Sequence, residues 1–221
     1  MINLEEQKNL FIEIARRLKE RMEVYAIGGT ALIFYGLKEL TLDIDLVFLN
    51  KKDREIFKEA AKSLGYKEAD SKIVYGAREN IPEMISLADS RLDLFLDELI
   101  DFKFSQNMKN RALQIHEFGK NLVIRIADIH DIILMKCATN RIKDEDDIIN
   151  LVRDNKIDWN VIVKEAEFQV SIGKALAFLE LGSLLEKLKN KHKLDIPKSV
   201  LDKIWLKLKK QIDAKLKRKK L

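Results

Sequence analysis

The chain has 221 residues, of which 47% are hydrophobic and 35% charged, enough apolar content for a sizeable core and too much for a disordered chain. Its 41 basic and 36 acidic residues leave a net charge of +5, which suits an anionic ligand without singling out nucleic acid. A single cysteine excludes an intrachain disulfide framework, and the charged N-terminal segment reads neither as a signal peptide nor as a membrane span, so a cytoplasmic protein with no membrane partner is expected.

With only 2 Pro and 8 Gly, regular and mainly helical structure is expected. Leu4, Leu10, Phe11, Ile14, Ala15 and Leu18 recur at helical spacing and predict an amphipathic helix over 4–21. An apolar strand, Val24 to Ile27, meets the Gly28-Gly29-Thr30 turn, and a short helix reaches Tyr35. A second apolar strand runs from Leu40 to Phe48. Asn50 is placed to cap a helix over 51–64 that ends at Gly65. Lys72 to Tyr75 reads as a short strand, and 76–90 as loop or a short helix. Arg91 to Leu96 alternates as a strand, Gln106 to Leu113 reads as a short helix, and Ile115–Phe118 with Leu122–Ile126 reads as a hairpin. From Ala127 the pattern is helical throughout: helices over 129–139, 143–154, 158–170 and 174–189, then one opened by Pro197 and Ser199. The expected organisation is an α/β domain over 1–127 and a helical domain over 128–221.

Asp43 and Asp45 lie two residues apart on the apolar second strand, so their side chains share a face. Two like charges side by side are unfavourable unless a cation sits between them, and hard oxygen ligands suit Mg²⁺. The Gly28-Gly29 backbone, at a helix start with no side chain in the way, is suited to phosphate, and the Thr30 hydroxyl can donate to a phosphate oxygen. A third strand acid, Asp93, completes what a two-metal phosphoryl-transfer site needs. Asp97 and Asp101 are alternatives outside the clean alternating run. Each piece alone has a structural reading, as a tight turn or an edge charge; the combination and its order favour a site.

The stretch GGTALIFYGLKELTLDIDL, with RLDLF downstream, resembles the nucleotidyltransferase superfamily typified by DNA polymerase beta, and within it the branch of AbiEii-like toxins and related nucleotidyltransferases. The resemblance implies an α+β fold, with a small mixed sheet flanked by helices as the nucleotidyltransferase core and a C-terminal helical bundle after it. It implies Asp43 and Asp45 as metal ligands, and Asp93 as a third carboxylate that can act as base toward an acceptor hydroxyl. Gly28, Gly29 and Thr30 would hold the triphosphate. Lys136, followed by Arg141, Lys143, Asp144 and Asp147 in KCATNRIKDEDDI, is similar to that branch's downstream pattern. By it Lys136 would face the phosphates and Asp144 would complete the site. The implied activity moves a nucleoside monophosphate from an NTP to an acceptor hydroxyl on an RNA end, a protein or a small molecule. An antitoxin partner is implied by the resemblance alone.

Read from the residues, Lys136 can also snorkel to solvent, and the acids at 144 and 147 can belong to a salt-bridged helix start. The basic C-terminal run KLKKQIDAKLKRKKL can face tRNA or another RNA, or simply water. Two further readings stand beside the enzyme: a nucleotide- or RNA-binding module without catalysis, and a structural helical adaptor. The adaptor predicts that the three aspartates do not cluster.

Overall fold

The computed structural model describes residues 1–139 and 142–218. The chain divides into two compact units, Met1–Asp128 and Ile129–Leu221.

The first unit is built on a seven-stranded mixed sheet. Its strands are β1 (Met22–Ala26), β2 (Ile44–Phe48), β3 (Lys67–Ala69), β4 (Glu83–Leu87), β5 (Ser90–Leu96), β8 (Gln114–Phe118) and β9 (Leu122–Ile126), while β6 (Glu98–Leu99) and β7 (Phe102–Lys103) form a separate small ribbon. The order across the sheet is β3-β4-β5-β2-β1-β9-β8. β2 runs parallel to β5 and β1 parallel to β9; the other pairs are antiparallel. The expected hairpin is present as β8 and β9.

The two central strands β1 and β2 carry apolar residues on both faces, as a strand covered on both sides must. Ile44, Leu46, Val47 and Phe48 are all fully buried. Helix α1 (Leu4–Ala15) and helix α3 (Lys51–Lys62) pack on the sheet, with Phe57 of α3 edge-on to Phe48 at 5.2 Å and Phe11 of α1 on Phe118 at 5.3 Å. Asn3 and Glu6 form a reciprocal capping box on α1, and Asn50 caps α3 by accepting from the Asp53 amide. Helix α2 (Gly28–Phe34) follows β1 directly, so the glycine pair forms the first turn of the helix and not a loop before it.

Several boundaries differ from those expected. α1 stops at Ala15, though Leu18 beyond it is still buried. β2 starts only at Ile44, because the backbone at Thr41 pairs with Ile2 instead. Lys72 to Tyr75 is not a strand. Asp70 accepts from the Lys72 amide and starts α4 (Ser71–Tyr75), a helical turn whose side-chain cap outcompetes the β preference of Ile73 and Val74. Within 76–90, the expected loop contains β4, which pairs with β5 and buries Met84 and Ile85. α5 (Gln106–Arg111) is capped by Ser105.

The second unit is helical: α6 (Ile129–Thr139), α7 (Ile142–Asp154), α8 (Trp159–Ser171), α9 (Ala175–His192) and α10 (Lys198–Arg218). α6 packs against α7, α8 and α9, and α9 also against α8 and α10. Ile132, Ile133 and Leu134 are consecutive and all fully buried, which marks α6 as the interior helix. Gly182 lets α9 approach α10 closely: a Cβ there would meet Ile204 at 2.9 Å. No helix among the described residues is long and apolar enough to cross a membrane.

Candidate active site

The parallel pairing of β2 and β5 sets Asp45 directly opposite Asp93. Alternation puts both on the face that also carries Val47 and Phe95. Asp43 lies just before β2 and joins them. Oxygen atoms of Asp43, Asp45 and Asp93 all lie within 4.8 Å of one another. Asp93 is fully buried, Asp43 nearly so, and Asp45 is partly exposed. The clustering removes the adaptor's prediction that these acids stand apart.

The glycines make room for the cluster. Gly28 has a left-handed φ of +57°, and a Cβ on it would lie 2.5 Å from Asp45 Oδ2. A Cβ on Gly29 would lie 2.5 Å from Thr41 Oγ1. Thr41 is buried in turn, and its hydroxyl sits 3.5 Å from Asp43 Oδ1. No side chain caps α2, so the amides of its first turn are not covered in that way. Thr30, expected on the phosphates, is placed differently. It has no exposed surface, and its hydroxyl accepts the Asp45 amide at 2.9 Å. Thr30 thereby fixes β2 against α2 at the acid itself.

Sequence reasoning passed over two residues. Arg91, two residues before Asp93 and on the same face of β5, donates through Nε to Asp93 Oδ1 at 3.0 Å and through Nη2 to Asp93 Oδ2 at 2.9 Å. Nη2 also donates to Asp43 Oδ2. Tyr75, at the end of α4, donates its hydroxyl to Asp93 Oδ2 and sets its ring edge-on to Phe95 at 6.1 Å. The spacing of RLDLF contained the signal for Arg91. Tyr75 carried none, since its segment reads as a strand.

The electrostatics follow from this packing. Burial is the largest influence on Asp93 and raises its pKa, with the Asp43 charge adding to it; Tyr75 and Arg91 pull the other way. Burial, then the charges of Asp45 and Asp93, push the Tyr75 phenol far up. Burial works against the Arg91 charge, yet Asp93 and Asp43 hold its pKa above the ordinary arginine value. Asp97 pairs with Lys109 at 3.6 Å and is not part of the cluster.

In the helical unit, Lys136 is 5% exposed and donates to Asp144 Oδ1 at 2.8 Å and Asp147 Oδ2 at 2.7 Å. It therefore does not snorkel, and Asp144 and Asp147 are indeed salt-bridged near a helix start. Arg141 of the same motif lies outside the described residues, as do the side chains of Lys143 and of positions 211–221 in the basic C-terminal run.

A family model described as "Nucleotidyltransferase of unknown function (DUF6036)" matches residues 4–176. The chain belongs to this nucleotidyltransferase family. The family description names no AbiEii-like branch. Among solved structures, the chain is similar to the crystal structure of ANT(2'')-Ia in complex with adenylyl-2''-tobramycin, at 15% identity over 82% of this chain and 98% of that one, with a TM-score of 0.45. It is also similar to the solution structure of the antibiotic-resistance factor ANT(2'')-Ia, at 15% identity over 86% and 98%, with a TM-score of 0.43. No curated protein matches the chain in sequence.

Two predictions follow from the geometry of this nucleotidyltransferase. Gly28→Ala forces a side chain into a left-handed backbone and onto the Asp45 carboxylate. It should cost about 1–3 kcal/mol of stability, read as a lowered midpoint in denaturant unfolding. The second concerns pH. A folded-state pKa above the unfolded value means that Asp93 favours folding at low pH, and that this contribution is lost as pH rises through its folded pKa. Asp93→Asn, which cannot ionise, should therefore remove this loss from the pH dependence of the melting temperature. The difference in slope between the two proteins should appear as pH rises from the ordinary carboxylate value of 3.8 toward neutrality, tracked by thermal unfolding across pH.

Proposed function

We propose that this nucleotidyltransferase is metal-dependent and moves a nucleoside monophosphate from an NTP to an acceptor hydroxyl, releasing pyrophosphate. The observation that carries the reading is the convergence of Asp43, Asp45 and Asp93 beside the glycine pair. Three carboxylates offering oxygen atoms this close together are a hard donor set that fits a divalent cation such as Mg²⁺. Bound by these residues, the cation supplies charge neutralisation for the triphosphate and its leaving pyrophosphate.

The chain's own residues do the rest. The Gly28-Gly29 backbone presents amides to the phosphates with no side chain between. Thr30 keeps Asp45 in register with α2. Asp93 accepts the proton of the acceptor hydroxyl, a task for which a raised pKa makes a carboxylate a better base. The acceptor oxygen then bonds to the α-phosphorus as the bond to pyrophosphate breaks, with the proton held on Asp93. Lys136 and Asp144 enter as nucleotide residues only through the sequence resemblance; their ion pair assigns them first to joining α6 and α7.

The acceptor is an RNA end such as that of tRNA, a protein hydroxyl or a small molecule, since fold does not choose among them. An AbiEii-like toxin role with an antitoxin partner rests on the resemblance, and a cytoplasmic location on composition.

The test uses the full chain with labelled NTPs, Mg²⁺, and bulk cellular RNA and protein. Label should appear in one acceptor fraction, and both Asp45→Asn and chelation of the metal should abolish it. Normal labelling by Asp45→Asn would remove Asp45 from the metal site. NTP binding without any labelled acceptor would favour the non-catalytic binding module.

A further inference from the structure

The acid cluster already has a counter-charge. Arg91 spans Asp43 and Asp93, and Tyr75 donates to Asp93 as well. Both oxygens of Asp93 thus carry donors: Oδ1 from Arg91 Nε, and Oδ2 from Arg91 Nη2 and the Tyr75 hydroxyl. A metal ion needs the same lone pairs. A guanidinium and a divalent cation compete for these carboxylates, through the shared lone pairs of Asp93 and Asp43 Oδ2 and through the repulsion of two positive charges at one site.

We propose that Arg91 and Tyr75 form an internal clasp that neutralises the carboxylates at rest, and that a divalent cation must displace this clasp to bind. The inference rests on the reading that Asp43, Asp45 and Asp93 hold the cation. It adds a gate to that reading. The apparent metal affinity is the intrinsic one reduced by the fraction of molecules with the clasp open. A monovalent cation only replaces one positive charge by another, so the gate favours ions of higher charge.

The two halves of the clasp are unequally anchored. Arg91 sits on a sheet strand, but its side chain is 25% exposed, which leaves the guanidinium a route toward water. Tyr75 closes α4, an element with no buried residue, in which Ile73 is 84% exposed and Val74 46%. A left-handed glycine, Gly76, follows at φ +68°. A turn with so little burial opens at low cost, so Tyr75 is the half that releases more readily.

The experiment is a Mn²⁺ titration of the full chain and two variants, without nucleotide, with free Mn²⁺ read by electron paramagnetic resonance. Arg91→Gln removes the competing charge and should bind Mn²⁺ about tenfold more tightly or better. Tyr75→Phe keeps the ring on Phe95 and removes one hydrogen bond; it should bind about threefold more tightly. Tyr75→Phe is conservative, so the test stands even if Arg91→Gln does not fold. An unchanged or weakened affinity in either variant removes that residue from the clasp. Absence of Mn²⁺ binding in the parent and both variants overturns the proposal entirely. NTP labelling is read separately: tighter Mn²⁺ binding without any labelled acceptor overturns the transfer reading and leaves the clasp standing.

Discussion

Three carboxylates held around one point repel one another, and much of the α/β unit is arranged to keep them there. The register of β2 against β5 does this. Asp45 faces Asp93 because Ile44, Leu46 and Phe48 lie opposite Leu92, Leu94 and Leu96. A slip of one residue would set Asp45 opposite Leu92 or Leu94, whose side chains lie on the other face, and part the acids. The strand register within the core therefore also brings the acids together. Burial, a product of the same packing, raises the proton affinity of Asp93.

The close approach of α2 to β2 is the second requirement, and it depends on absent side chains. Gly28 and Gly29 each leave space that the next layer fills, Asp45 in one case and Thr41 in the other. Thr30 ties the seam by accepting the Asp45 amide, and Ile2 pairs with Thr41 across the backbone. A glycine pair here serves two ends. It leaves the first-turn backbone of α2 without side chains, and it admits the Asp45 carboxylate and the Thr41 hydroxyl beside it.

Much of this was legible in the sequence. The acid pair, the third strand acid, the glycine pair, the Asn50 cap and the β8–β9 hairpin all rest on local chemistry: a side chain bonding a nearby amide, or a period of two. What escaped depends on partners distant in the chain. β3 and β4 have weak alternation, and β4 exists because β5 offers it an edge. α4 was misread because Ile73 and Val74 favour strand when nothing else is considered, whereas the Asp70 cap decides a segment this short. Arg91 was visible as a letter in RLDLF but not as a partner of Asp43, which lies 48 residues away in the chain. The Thr30 hydroxyl fits either a phosphate or a backbone amide, and only the packing chooses between them.

The ion triad of the helical unit follows the same logic in a different setting. Lys136 lies on α6, the interior helix, where an isolated ammonium would be costly. Asp144 and Asp147 from α7 each accept a hydrogen bond from its ammonium, and all three are largely screened from water. Removing one partner of such a pair leaves an uncompensated buried charge, a loss of about 3–5 kcal/mol, whereas the intact pair adds little net stability. Its effect is a directional tie between the two helices, since both acids accept from the one ammonium. Charge pairing thus adds to the contact of two helices that also bury apolar side chains, Ile132, Ile133 and Leu134 on α6 and Ile148 and Leu151 on α7.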